Sequence, residues 1–142
     1  MTLFADQSRE QLRTAYREAW RKQCERLPLQ ALEAQIADVI ALHPEYQPLL
    51  QADTAMSDDF DGRGGRENPF LHMGLHLALR EQLGTDRPAG IAAIYQRLAR
   101  KLASAHVAEH RMIEVLATLL WEAQRSGRPG DEQRYLERLR AL

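Results

Sequence analysis

Apolar residues recur along this chain every three or four positions, the period of a helix with one face turned inward. "SREQLRTAYREAWRKQCERL" sets out the first such stripe with Leu12, Tyr16, Ala19, Trp20 and Leu27, and Ser8 and Gln11 have capping-box spacing at its start. Cys24 falls inside this pattern and reads as a small packing residue. A catalytic thiol is the competing reading, with no histidine near it in sequence to support it. Pro28 suits the first position of a second helix, "PLQALEAQIADVIALH", whose inner face is Leu29, Leu32, Ile36, Val39 and Ile40. Pro44 stops it, because its ring would clash with the preceding turn.

From Pro44 the periodicity is lost. "PEYQPLLQADTAMSDDFDGRGGRE" carries acids and three glycines, which predicts an irregular surface segment, with residues 51–67 as a long loop. Loops of that length are either functional, as a lid would be, or flexible insertions.

Asn68 then caps a third helix, with Pro69 in its first position and Gly84 placed to end it after Leu83. Phe70, Leu71, Met73, Leu75, Leu77, Leu79 and Leu83 cover nearly every face, which predicts a central, buried helix. Gly74 costs about 1 kcal/mol against alanine there, and close approach of a neighbouring helix would explain it. Pro88 opens a fourth stretch striped by Ile91, Ile94, Tyr95, Leu98 and Leu102. Carried on in phase, that stripe meets His106, His110, Ile113, Ala117 and Leu120, so the core side holds both histidines. Ser104 is a candidate cap, which leaves one long helix or two. Trp20 and Trp121 both fall on apolar stripes and read as core. "SGRPGDE" breaks the chain, and Asp131 caps a last helix with Tyr135, Leu136 and Leu139 inside. No strand-like alternation appears. The pattern predicts an all-α fold, a single-domain antiparallel helical bundle of about five helices spanning 1–142 with one long surface loop.

Composition narrows the function without naming it. The chain has 142 residues, enough for one domain with a real core. Its net charge is −1, with acids interleaved among the arginines, which argues against nucleic acid. A single cysteine excludes an internal disulfide framework. The polar opening "MTLFADQSREQ" is unlike a signal peptide, and no apolar run approaches the ~20 residues of a membrane span. A soluble cytoplasmic protein is expected, with no membrane partner. A homo-oligomer is compatible with the sequence, and no protein partner is indicated.

The chemistry lies in two stretches. "NPFLHMGLHLALREQ" places His72 and His76 one turn apart, and "HVAEHRMIE" repeats the spacing with His106 and His110, adding Glu109 and Glu114. Residues four apart stack on one helix face. Two facing helices would therefore bring His72, His76, His106, His110 and Glu114 to one point, the way helical bundles build metal sites. Imidazole and carboxylate suit a divalent ion such as Zn²⁺, Fe²⁺ or Mn²⁺, and no organic cofactor is implied. With an open coordination position, such an ion would activate water or O₂. No "HExxH" is present, so a metalloprotease has no motif support. Of the two glutamates, Glu109 is expected to face solvent more than Glu114. Glu33 on the second helix is a further candidate carboxylate. His43, at the end of that helix, reads as a dipole-capping residue rather than a ligand. Two alternatives stay open: an interaction or scaffold protein whose buried histidines and glutamates form a structural hydrogen-bond network, and acid–base catalysis without metal.

"HPEY", "NPFLHMGLHLALREQ", "DRPAGI" and "HVAEHRMIEVLATLLWEAQR" together resemble an uncharacterised proteobacterial family, the domain of unknown function 1841. The resemblance covers nearly the whole chain. It implies a small single-domain bacterial protein and supplies no activity, substrate or cofactor. In that family "HPEY" is usually followed by another histidine. Here the position is Gln47, which weakens metal ligation by that segment.

Overall fold

A computed structural model describes residues 9–52 and 68–142. The chain divides into two compact units, the first ending at Leu77 and the second starting at Ala78. All regular structure among the described residues is helical: α1 (Arg9–Cys24), α2 (Ala31–Ala41), a 3₁₀ turn (Pro44–Tyr46), α3 (Gln47–Gln51), α4 (Pro69–Thr85), α5 (Ile91–Leu102), α6 (Ala105–Ser126) and α7 (Glu132–Arg140). That is seven helices where the sequence pattern suggested about five. Ser8 lies outside the described residues, as does the expected 51–67 loop from residue 53 on, while Gln51 at its start closes α3.

In the first unit, α1 packs on α2. Arg26 takes a left-handed conformation (φ 58°), and Leu27 N–H returns to the Lys22 carbonyl at 2.9 Å. This closure ends α1 at Cys24 and takes Leu27 off the stripe, so both residues are exposed rather than packed. Helix α2 begins at Ala31, three residues later than Pro28 suggested. Gln30 is extended there, and its N–H donates to Glu33 Oε1 at 3.0 Å, so a side-chain carboxylate marks the helix start. The part of the stretch expected to be irregular that is described is helical from Pro44 to Gln51. Pro44 and Pro48 each sit in a first turn, where a missing N–H costs nothing. Asn68 caps α4 as expected, its Oδ1 accepting from Phe70 N–H (3.0 Å) and Leu71 N–H (3.2 Å).

The core of this unit is Tyr16, Ala19, Ile36, Val39, Ile40, Leu50, Phe70, Met73 and Leu77. Burying each large aliphatic of this set contributes about 1.5–3 kcal/mol. The Tyr16 and Phe70 rings stack at 5.9 Å, and the guanidinium of buried Arg13 lies over Phe70 at 4.6 Å. Burial of the Tyr16 phenol pushes its pKa up to about 12.

In the second unit α5 packs on α6, and α7 packs on both. Gly84 does not end α4. The helix runs on to Thr85, and the left-handed residue is Asp86 (φ 49°). Its carboxylate accepts from Gly90 and Ala92 N–H groups at 3.2 and 3.0 Å, so α5 starts at Ile91 and not at Pro88. Ile91, Ile94 and Leu98 are buried, as the stripe predicts. Ala103 is left-handed (φ 54°), and Ser104 then caps α6, its Oγ accepting from Val107 N–H at 3.1 Å. There are two helices here, and the break resets the phase. Ala108, Glu109, Met112, Ile113 and Leu116 face inward. His106 and Leu120 are exposed instead of core-facing, and Trp121 is 57% exposed with Arg125 stacked over its ring. Trp20 is half-buried against the first unit's core. Asp131 caps α7, and Tyr135, Leu136 and Leu139 are buried as expected. No helix among the described residues is long and apolar enough to cross a membrane.

Candidate metal centre

The site is built from the end of α2 and the first two turns of α4. α2 stops at Ala41 because Pro44 forbids another turn, and His43 departs from helical geometry (φ −128°, ψ 71°). A helix end leaves carbonyls without helical donors. The His43 ring folds back onto one of them, Nδ1 lying 2.7 Å from the Val39 carbonyl. A carbonyl can only accept, so His43 Nδ1 carries a proton, and Nε2 is the nitrogen that ligation would use. Gln47 Nε2 donates to the neighbouring Ile40 carbonyl at 3.4 Å, which also accepts from His43 N–H at 3.0 Å.

Tyr46 follows within the 3₁₀ turn and stacks on His43, with ring centroids 5.3 Å apart and planes 9° from parallel. It also meets His72 edge-on at 5.9 Å. His72 and His76 project from one face of α4, one turn apart, with Nε2 atoms 3.1 Å from each other. The His43 ring lies edge-on to both, with centroids 5.0 Å from His72 and 4.6 Å from His76. Ligand nitrogens of His43, His72 and His76 all lie within 4.8 Å of one another. His76 is 0% exposed and His43 3%. His72 is half-buried.

Two nitrogens bound to one tetrahedral ion, with bonds of about 2.0–2.1 Å, stand roughly 3.3 Å apart. The His72–His76 separation is already close to this. In the absence of an ion the same separation suits a hydrogen bond from one Nε2–H to the other Nε2. Among the described residues no carboxylate or thiolate joins the group. Glu33, weighed above as a ligand, is held at the start of α2. It accepts from Lys22 Nζ at 2.7 Å and from Gln30 N–H. The Lys22 hydrogen bond, followed by that from Gln30, holds its carboxyl below the ordinary range.

His43 is the residue that sequence reasoning set aside. It does cap α2, as expected, and the same ring reaches the α4 pair. Capping uses Nδ1 and ligation would use Nε2, so the two roles are not alternatives. The available signal was a histidine one residue before a helix-stopping proline, which throws the ring back over the helix end.

The other predicted residues belong to the second unit. His106 is exposed and His110 half-buried, with rings 4.3 Å apart and His110 Nδ1 donating to the His106 carbonyl at 2.9 Å. Glu114 is exposed. Glu109, expected to face solvent, is buried and paired with Arg80 at 3.0 Å. Glu109 and Glu114 thus exchange the places assigned to them, because the break before Ser104 rotates the face of α6 that turns inward.

No curated protein and no solved structure shows significant similarity to this chain. A family match does, over residues 8–141, so it takes in every histidine discussed above. The chain belongs to the family described as a domain of unknown function (DUF1841).

Proposed function

We propose that this protein binds a divalent metal ion through His43, His72 and His76. One observation carries the reading: three imidazoles from two separate elements converge, two of them buried, with their ring nitrogens within 4.8 Å of each other. The Val39 carbonyl supports it by fixing the His43 tautomer, an outer-shell contact typical of histidine ligands. An all-imidazole set favours Zn²⁺ or Fe²⁺ over Mn²⁺, which prefers oxygen. The sequence expectation of further ligands from His106, His110 and Glu114 remains part of the proposal, to be read by substitution. So do the antiparallel bundle and a cytoplasmic setting. Where the ion keeps an open position, activation of water or O₂ is the chemistry to assay.

Elemental analysis of protein purified without a histidine tag tests the binding. About one metal per chain is expected, removed by chelator and restored by Zn²⁺ or Fe²⁺. Loss of metal at every preparation, with no thermal stabilisation by added ion, would overturn the reading. The hydrogen bond within the His72–His76 pair favours a second reading, in which the cluster is a structural network and the protein serves interaction or scaffolding. That reading predicts the same destabilisation by His76→Ala with and without metal.

A further inference from the structure

We infer that the histidine centre takes up a small inorganic anion together with its metal. This rests on the metal-binding reading above and extends it to the ligand class. Every side chain in the group is an imidazole, and a neutral imidazole cancels none of a dication's charge. No carboxylate or thiolate among the described residues joins the group to offset it. Yet His43 and His76 are buried, so the ion would carry its full double charge into a medium that penalises uncompensated charge. With none of it supplied by the imidazole group His43, His72 and His76, the compensating charge comes from a diffusible ligand: hydroxide drawn from water, whose pKa falls to about 7 on such an ion, or an anion that displaces it. A small ligand suits the site. Tyr46 stacks on one side of His43 and stands edge-on to His72, which narrows the approach on that side.

Metal and anion then stabilise each other's binding, and by linkage the coupling is reciprocal. The probe is Co²⁺, whose visible absorption reports its ligand set, titrated into the intact apo-protein in halide-free buffer with and without azide. Azide is expected to tighten Co²⁺ binding by at least about fivefold, beyond its effect on free Co²⁺, and to change the spectrum. The effect should shrink as pH rises through about 8, where hydroxide occupies the same position. Co²⁺ binding with an affinity and spectrum indifferent to azide would overturn the anion inference and leave the metal reading standing. Failure of Co²⁺, Zn²⁺ and Fe²⁺ to bind at all would overturn both.

Discussion

The His43 ring hangs from the Val39 carbonyl by a 2.7 Å hydrogen bond, so the last turn of α2 dictates which of its nitrogens faces the α4 pair. Helix termination and ligand orientation are therefore one event. The chain stops a helix with Pro44, a carbonyl at its end collects the nearest side-chain N–H, and the imidazole's other nitrogen is aimed as a consequence.

The His76→Ala variant should lose most metal-dependent stabilisation. Wild-type protein with ion at a hundred times its Kd gains about 2.7 kcal/mol, readable as a thermal shift against chelator. His43→Ala should behave likewise, despite lying outside the two helical histidine pairs. His110→Ala reads whether the second unit supplies a ligand: unchanged metal affinity would remove it from the proposed set.

Arg80 and Glu109 should respond unequally to truncation. The side chain of Glu109 is 8% exposed and that of Arg80 23%. Arg80→Ala withdraws a cation from a buried carboxylate and should cost roughly 3 kcal/mol. Glu109→Ala leaves a guanidinium that water can reach, and should cost about 1–2 kcal/mol. Urea midpoints of the two variants compare them directly, and a larger loss for Glu109→Ala would contradict this ordering.

Acid should expose the contribution of Glu33. Its carboxyl is held below the usual carboxylate range, first by Lys22 and then by the Gln30 N–H. A depressed carboxylate stabilises the fold fully above its unfolded pKa, and the benefit is lost as pH falls through the folded value. Wild-type stability should therefore decline below about pH 4.5 more steeply than that of Glu33→Gln. Parallel pH profiles from denaturant titrations would show that the Lys22 contact contributes nothing.

Gly74→Ala should stabilise. The sequence suggested that a neighbouring helix passes close here. Among the described residues an added Cβ would meet only the Tyr16 hydroxyl, at 3.6 Å, an ordinary contact. With no clash, the helix-propensity gain of roughly 0.5–1 kcal/mol should appear in the melting temperature. A loss would mean that α1 and α4 cannot accommodate even that methyl group.

Local chemistry alone determined a good deal here. The 3.6-residue period predicted an all-helical chain, and it identified Ile36, Val39, Ile40, Ile91, Ile94, Leu98, Tyr135, Leu136 and Leu139 as interior. Each of these choices depends on neighbours within one or two turns. Asn68 and Asp131 were readable as caps for the same reason, since a cap bonds residues two or three places away. Periodicity failed where the chain takes a left-handed step. Ala103 turns α6 relative to the stripe of α5, so Glu109 goes inside while His106, Leu120 and Trp121 come out. Nothing in the spacing reports that rotation, because it is set by one backbone dihedral and by the packing that selects it.

The meeting of His43 with His72 and His76 lay further still from the sequence. It joins positions 29 and 33 residues apart, and only a shared core, to which α2 gives Val39 and Ile40 and α4 gives Phe70, Met73 and Leu77, brings the end of α2 to the first turns of α4. Spacing along one helix could propose the pair. The third imidazole was decided by the tertiary fold, because proximity between separate elements comes from shared burial and leaves no periodic trace.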